Sequence, residues 1–247
     1  MATDPVRQQI VIVARGTTNL RNWMTDAVFI QLPCDLAPGC LVHGGFLNAW
    51  NEISTVVSAA VKKATATNPA YTVAAVGHSL GGAVTTLAAA HLRQAGRRVD
   101  LYTYGSPRVG NSVFASVVDA QPGGVHYRVT HFDDPVPRLP PLIFNYRHAS
   151  TEYWLAPGGA TRVNYAASDV RLCPGAANLG CNAATLGLDV SAHLYYLQEV
   201  AACSPGGPLP WKRQSQVSDA ELEMRLDRYG ALDAQYVATL GAEALAS

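Results

Sequence analysis

Apolar and polar positions run along the chain in two rhythms. Residues 8–14 (QQIVIVA) are a short β-branched run, the pattern of a buried strand. Between 46 and 64 the apolar residues fall at 46, 47, 50, 53, 56, 57, 60, 61 and 64, which is amphipathic-helix spacing, and Asn68-Pro69 is the expected stop. Residues 71–76 predict a second buried strand. Residues 80–95 are rich in Ala and Leu and run into Gly96, predicting a helix with a glycine cap. A third strand is expected over 99–104, a short helix over 113–119 and a fourth strand over 125–132. A Pro-rich loop covers 134–141, residues 152–172 alternate loosely as a hairpin does, and 191–202 predict a helix.

Strands that alternate with helices imply an α/β fold with a mostly parallel central sheet and helices on both faces. Functional residues are then expected just past the carboxyl ends of strands. The domain expectation is one α/β unit over 1–203, a Pro/Gly-rich linker over 204–217 and a helical tail over 218–247. Ser218 and Glu221 have capping-box spacing, and Gly230 is read as a break in the tail. The tail carries no recognisable chemistry and is expected to be a docked or loosely attached helix.

Composition narrows the function. The chain has 247 residues, 49% hydrophobic, enough for one large core or one core plus a small appendage. Lys+Arg and Asp+Glu are both 18, with no basic stripe, which argues against nucleic acid as a partner. No stretch reaches the apolar length of a membrane helix. Cys34 with Cys40, and Cys173 with Cys181, are close pairs in Pro/Gly-rich loops. Each is a candidate disulfide, and neither has zinc-site spacing, so no metal or cofactor is expected. Two bridges favour an oxidising compartment. Met1-Ala2-Thr3-Asp4-Pro5 lacks the features of a leader, so secretion implies a leader not present in this chain.

The chemistry centres on Gly77-His78-Ser79-Leu80-Gly81, which follows a buried strand and opens a helix. That is the setting of a nucleophile elbow, a sharp turn that lifts a serine oxygen above the sheet near a helix N-terminus. A serine nucleophile needs a base, and the base needs an orienting acid. In this architecture the chain order is Ser, acid, His. His91 lies within the following helix, His126 starts a strand, and His131 sits beside the acid candidates in the wrong order. His148, in a polar loop, is possible, and so is His193, which lies late in the chain at a loop-to-helix junction. Asp133 and Asp134 both follow the strand over 125–132, and the pattern does not choose between them.

At these residues the chain resembles the class 3 lipases of filamentous fungi, which include secreted triacylglycerol lipases and, as a side branch, feruloyl esterases. The resemblance rests on ordered segments: Val13-Ala14-Arg15-Gly16-Thr17, Asn22-Trp23, His43-Gly44-Gly45-Phe46, Gly77 to Ala83, Tyr104 to Asn111, Tyr127 to His131, Asp134 to Pro141 and Ala192 to Tyr196. It implies an α/β-hydrolase fold and a Ser79–Asp134–His193 triad. It implies an oxyanion hole from the backbone N–H groups of Leu80 and Thr17. Residues 18–26 match the lid, with Leu20, Trp23 and Met24 spaced for one helical face. A segment before the first strand would supply a partner for Cys203, and its near absence here leaves Cys203 expected to be unpaired.

The implied activity is hydrolysis of lipid esters at an oil–water interface, through an acyl-enzyme. A feruloyl-type or short-acyl esterase is the close alternative. A non-catalytic binding module on the same fold is the remote one.

Overall fold

The computed structural model describes residues 1–16, 24, 29–185, 189–200 and 218–240. Nine strands and four α-helices lie among them. The strands are β1 (Ala2–Asp4), β2 (Gln9–Ala14), β3 (Gln31–Pro33), β4 (Leu41–His43), β5 (Thr72–His78), β6 (Val99–Tyr104), β7 (His126–His131), β8 (Glu152–Leu155) and β9 (Val170–Cys173). The helices are α1 (Gly44–Thr67), α2 (Leu80–Gln94), α3 (Ser112–Ala120) and α4 (Asp219–Thr239).

Seven strands form one sheet in the order β1-β2-β5-β6-β7-β8-β9. The inner pairings, from β2 to β8, are parallel, and β1 and β9 close the edges antiparallel. β3 and β4 make a separate antiparallel ribbon. β8 and β9 are the hairpin expected over 152–172. This is the α/β-hydrolase arrangement, a mostly parallel sheet carrying helices, and it sets several strand carboxyl ends side by side.

The register explains which side chains are interior. Ile10, Val73 and Val99 are neighbours across β2, β5 and β6, as are Ile12, Ala75 and Leu101. They pack with Val61 of α1 and with Ala89 and Leu92 of α2. A second cluster joins Phe46 and Trp50 of α1, Leu87 of α2 and Phe114 of α3. The opposite sheet face is more open. There Tyr102 stacks on Tyr127, which meets Tyr153 edge-on, and Val13 is 62% exposed.

Local signals end the helices much as expected. The His43 side chain accepts from the N–H of Gly45 at the start of α1, and Asn68 closes its other end. Asn111 caps α3 by accepting from Phe114 N–H at 3.0 Å. Gly96 (φ 78) takes the left-handed backbone that a glycine C-terminus allows. Both disulfides are formed, Cys34–Cys40 and Cys173–Cys181. Cys203, the linker over 204–217 and residues 241–247 lie outside the described residues.

Two expectations fail. Residues 191–202 do not begin an α-helix. The chain makes a short 3-10 turn, Val190–Leu194, in which Asp189 accepts from Ser191 N–H at 2.9 Å. Tyr195 then pairs with Glu199 as an isolated bridge. The buried polar contacts of this segment, set out below, override the helical pattern there. In the tail, Gly230 is not a break. It lies inside one helix, α4, because burial of one helix face outweighs the roughly 1 kcal/mol that an interior glycine costs. Ser218 caps α4 as expected, accepting from Glu221 N–H at 3.2 Å.

Candidate active site

Three adjacent strand ends build the site. Ser79 follows β5 directly and caps α2, with φ 57 and ψ −133. A non-glycine residue with that backbone is strained, and the surroundings must enforce it. Ser79 N–H donates to Tyr104 O at the end of β6, 2.9 Å away. The flanking glycines are a steric necessity. A Cβ on Gly77 would run into the backbone of Gly81 and the Thr85 hydroxyl, and one on Gly81 into the backbone of Ala14. Gly16 is also tight, though less so, since a Cβ there would meet Ser79 Cβ at 2.9 Å. The Arg15-Gly16 segment therefore passes against the nucleophile turn.

Asp134 comes from beyond β7. Phe132 (φ 37) turns the chain, and Asp134 N–H returns to His131 O at 2.9 Å. Asp134 is completely buried. His193 Nδ1–H donates to Asp134 Oδ2 at 2.8 Å, which fixes the imidazole tautomer. Tyr196 Oη–H donates to the same oxygen at 2.5 Å, and Val136 N–H to Oδ1 at 2.9 Å. Burial opposes the Asp134 charge, but the charge of His193 and these hydrogen bonds outweigh it and hold the carboxyl below its ordinary value of 3.8. Burial and the Asp134 charge together push the Tyr196 phenol well above its usual range.

Gly105 makes this crowding feasible. It follows β6 directly with φ 57, and a Cβ there would strike Tyr196 Oη, Asp134 Oδ2 and His193 Cε1 at 2.5, 2.8 and 2.9 Å. Two further imidazoles brace the backbone of the 190–194 turn. His131 Nδ1–H donates to Ala192 O at 2.9 Å, and His78 Nε2–H donates to His193 O at 2.8 Å. Burial, then the nearby His193, lowers the His78 pKa to about 3.

Ser79 is 2% exposed and His193 fully buried. Among the described residues, neither Ser79 Oγ nor His193 Nε2 makes a hydrogen bond. The acid–imidazole link is thus assembled and the hydroxyl–imidazole link is open, in a site closed to solvent. Such hydroxyl–base contacts commonly tighten only with substrate. Leu80 opens α2, so its N–H is one of the free donors of a helix N-terminus, next to the serine.

The structure brings Ser79, Leu80, Asp134 and His193 to one place. Asp133 stands outside this network, and His148 is used elsewhere, donating from Nε2 to Pro137 O at 2.7 Å. Thr17, Leu20 and Trp23 lie outside the described residues. Met24 is described and is buried, at 1% exposure, against Val136, Leu139 and the tail helix. Sequence reading missed Tyr196, Gly105, and the bracing roles of His78 and His131. Tyr196 and Gly105 stood in the matched segments, but only their contacts show what they do. Among the described residues no group of His, Cys, Asp and Glu is arranged to hold a metal.

Comparison with known proteins gives a consistent picture. The model of the family described as Lipase (class 3) matches residues 11–144. The chain is 52% identical over 237 residues to secreted mono- and diacylglycerol lipase 1 of Fusarium solani, which spans 96% of this chain and 70% of that protein. It is 40% identical over 218 residues to secreted mono- and diacylglycerol lipase A of Penicillium cyclopium, spanning 86% of this chain and 70% of the other. Among solved structures, the mono- and diacylglycerol lipase of Aspergillus oryzae superposes with a TM-score of 0.77 at 34% identity, over 81% of this chain and 75% of that one.

Proposed function

Because the chain belongs to the class 3 lipase family of carboxylic ester hydrolases, we propose that Ser79, His193 and Asp134 are the nucleophile, base and acid of a secreted lipase. The single observation that carries this reading is the buried His193–Asp134 pair, 2.8 Å apart, at the strand ends beside a glycine-flanked serine with φ 57.

The mechanism follows from that assignment. His193 Nε2, which makes no hydrogen bond among the described residues, takes the Ser79 proton as Oγ attacks the ester carbonyl. Asp134, kept anionic, stabilises the imidazolium and holds its Nδ1–H. On the family resemblance, the N–H groups of Leu80 and Thr17 are assigned to receive the oxyanion, each contributing about 3 kcal/mol. The protonated imidazole hands its proton to the leaving alcohol. Water then attacks the acyl-enzyme with His193 again as base, releasing the fatty acid and restoring Ser79.

The relatives are named for mono- and diacylglycerols, so partial glycerides are proposed as substrates alongside triacylglycerol. Their names also carry the word secreted, and two disulfides suit an oxidising compartment. No helix among the described residues is long and apolar enough to cross a membrane. Leu20, Trp23 and Met24 are assigned to a lid. Residues 1–203 are assigned as the catalytic unit, with 204–217 a linker to the tail.

Ser79→Ala tests the reading. On p-nitrophenyl butyrate kcat should fall on the order of 10⁴-fold or more, with the fold retained. Labelling of Ser79 by a fluorophosphonate should vanish in the variant. Wild-type hydrolysis by Ser79→Ala would sink the assignment. Rates on tributyrin emulsion against methyl ferulate separate lipase from feruloyl-type esterase.

A further inference from the structure

One apolar cluster among the described residues touches the loops that carry both the acid and the base. It comprises Met24, Val136, Leu139, Leu222 and Leu226, with Phe29, Val190 and Tyr229 packed against it. Val136 lies two residues past Asp134 and bonds to it through its N–H. Val190 opens the turn that carries His193. The other side of this cluster is the tail helix. Leu222, Leu226 and Tyr229 recur at i, i+4 and i+7 on one face of α4, while Met224 on another is 64% exposed.

The second half of α4 fixes that face in place. Asp233 Oδ2 accepts from Arg108 Nη1 at 2.8 Å, and Asp233 Oδ1 from Leu142 N–H at 2.6 Å. Tyr236 Oη accepts from Arg147 Nη2 at 2.9 Å. Arg108 and Asp233 are 2% and 5% exposed. Lifting the helix would strand a buried charge, which is strongly unfavourable. The helix is thus a fixed part of the site's surroundings and not a flap.

A long acyl chain on an ester at Ser79 needs an apolar lane leading away from the triad, whereas a butyryl group does not. Resting on the triad reading above, we infer that such a lane runs from Ser79 towards this cluster, and that Leu222 and Leu226 are specificity-determining residues that close its far end. They meet Val136 and Leu139 there and set how long an acyl chain the enzyme accepts. The tail, which carries no chemistry of its own, acts as a ruler for the substrate.

The test uses the full chain and p-nitrophenyl esters of C4, C8, C12 and C16 acids. Leu226→Ala should raise the C12-to-C4 ratio of kcat/KM roughly tenfold, the scale on which a pocket reads added methylenes. The C4 value should stay within about twofold of wild type on the same reasoning, since a short chain never reaches the wall. Leu226→Val, a gentler trim, should shift the ratio in the same direction by less. An unchanged ratio in a folded variant overturns the inference. So does an equal loss at every chain length, or failure of both variants to fold, because the leucines then only hold the helix. Ser79→Ala on the C4 ester is read in parallel. If it stays active the triad reading has failed; if it is dead while the ratio does not move, only the ruler has.

Discussion

The turn at Ser79 and the tail helix are both firmly held, by opposite means. At the turn, contacts among backbone atoms and glycines leave no room for alternatives: Gly77 and Gly81 each sit where a Cβ would collide with backbone. The tail is held by side chains reaching far along the chain. Arg108 and Asp233 are 125 residues apart in sequence, and their pair anchors α4 to the loops beside the site. A local steric constraint writes itself into sequence as a motif. A long-range polar pair leaves two ordinary residues with nothing to connect them. That is why the turn was legible and the tail was read as featureless.

Breaking the anchor should have the largest effect on stability. Asp233→Ala leaves Arg108 buried without its carboxylate, and the expected loss is about 3–5 kcal/mol. That corresponds to roughly 10 °C in Tm for a chain of this size, read by calorimetry. A Tm within about 2 °C of wild type would mean the tail is dispensable to the catalytic body.

Next comes the turn itself. Gly81→Ala forces a methyl into the Ala14 backbone, where nothing can rotate aside. A loss of about 3 kcal/mol is expected, with ester hydrolysis abolished in whatever protein still folds. Normal activity would show that the glycine is there for some reason other than space.

Acid separates the two regions more gently. Burial holds His43 down to about 4, and His78 and His126 down to about 3, from an unfolded value of 6.5. All three belong to the catalytic body. Between pH 6.5 and about 4 the unfolded chain binds protons that the folded chain refuses, so stability falls as pH falls, with the full penalty reached below the folded values. Asp134, shifted below 3.8, adds its own loss only under that pH. Tm measured from pH 7 to 4 should decline steadily, and a flat profile would contradict the burial of these imidazoles.

The smallest effect contrasts one glycine with another. A Cβ on Gly230 in α4 would meet nothing within 4 Å. Gly230→Ala should stabilise the tail by about 0.5–1 kcal/mol, against the damage expected from the same change at Gly81. A loss of stability would place a hidden contact at that helix face.

Much of the frame was open to reading without coordinates. The β-branched runs over 8–14, 71–76, 99–104 and 125–132 are strands, the 46–64 periodicity is the heart of α1, and the close cysteine pairs are bridged. Ser79 was marked by its glycines and by its place between strand and helix. Asp134 and His193 were a different matter, because residue pattern alone left Asp133 and His148 standing beside them.

Local rules therefore determined the elements and the serine. Periodicity, β-branching and the exclusion of side chains from a tight turn act between near neighbours, and a linear string records them. Tertiary structure decided the rest. It replaced the expected helix after Ser191 with a turn that delivers His193 and Tyr196 to one oxygen of Asp134, and it carried α4 through Gly230. It also put His78 and His131 to work bracing the turn that carries His193, and packed Leu222 and Leu226 on the loop after Asp134. Each of these outcomes satisfies a buried polar group or apolar face with a partner tens of residues away, and such partners meet only once the chain has folded.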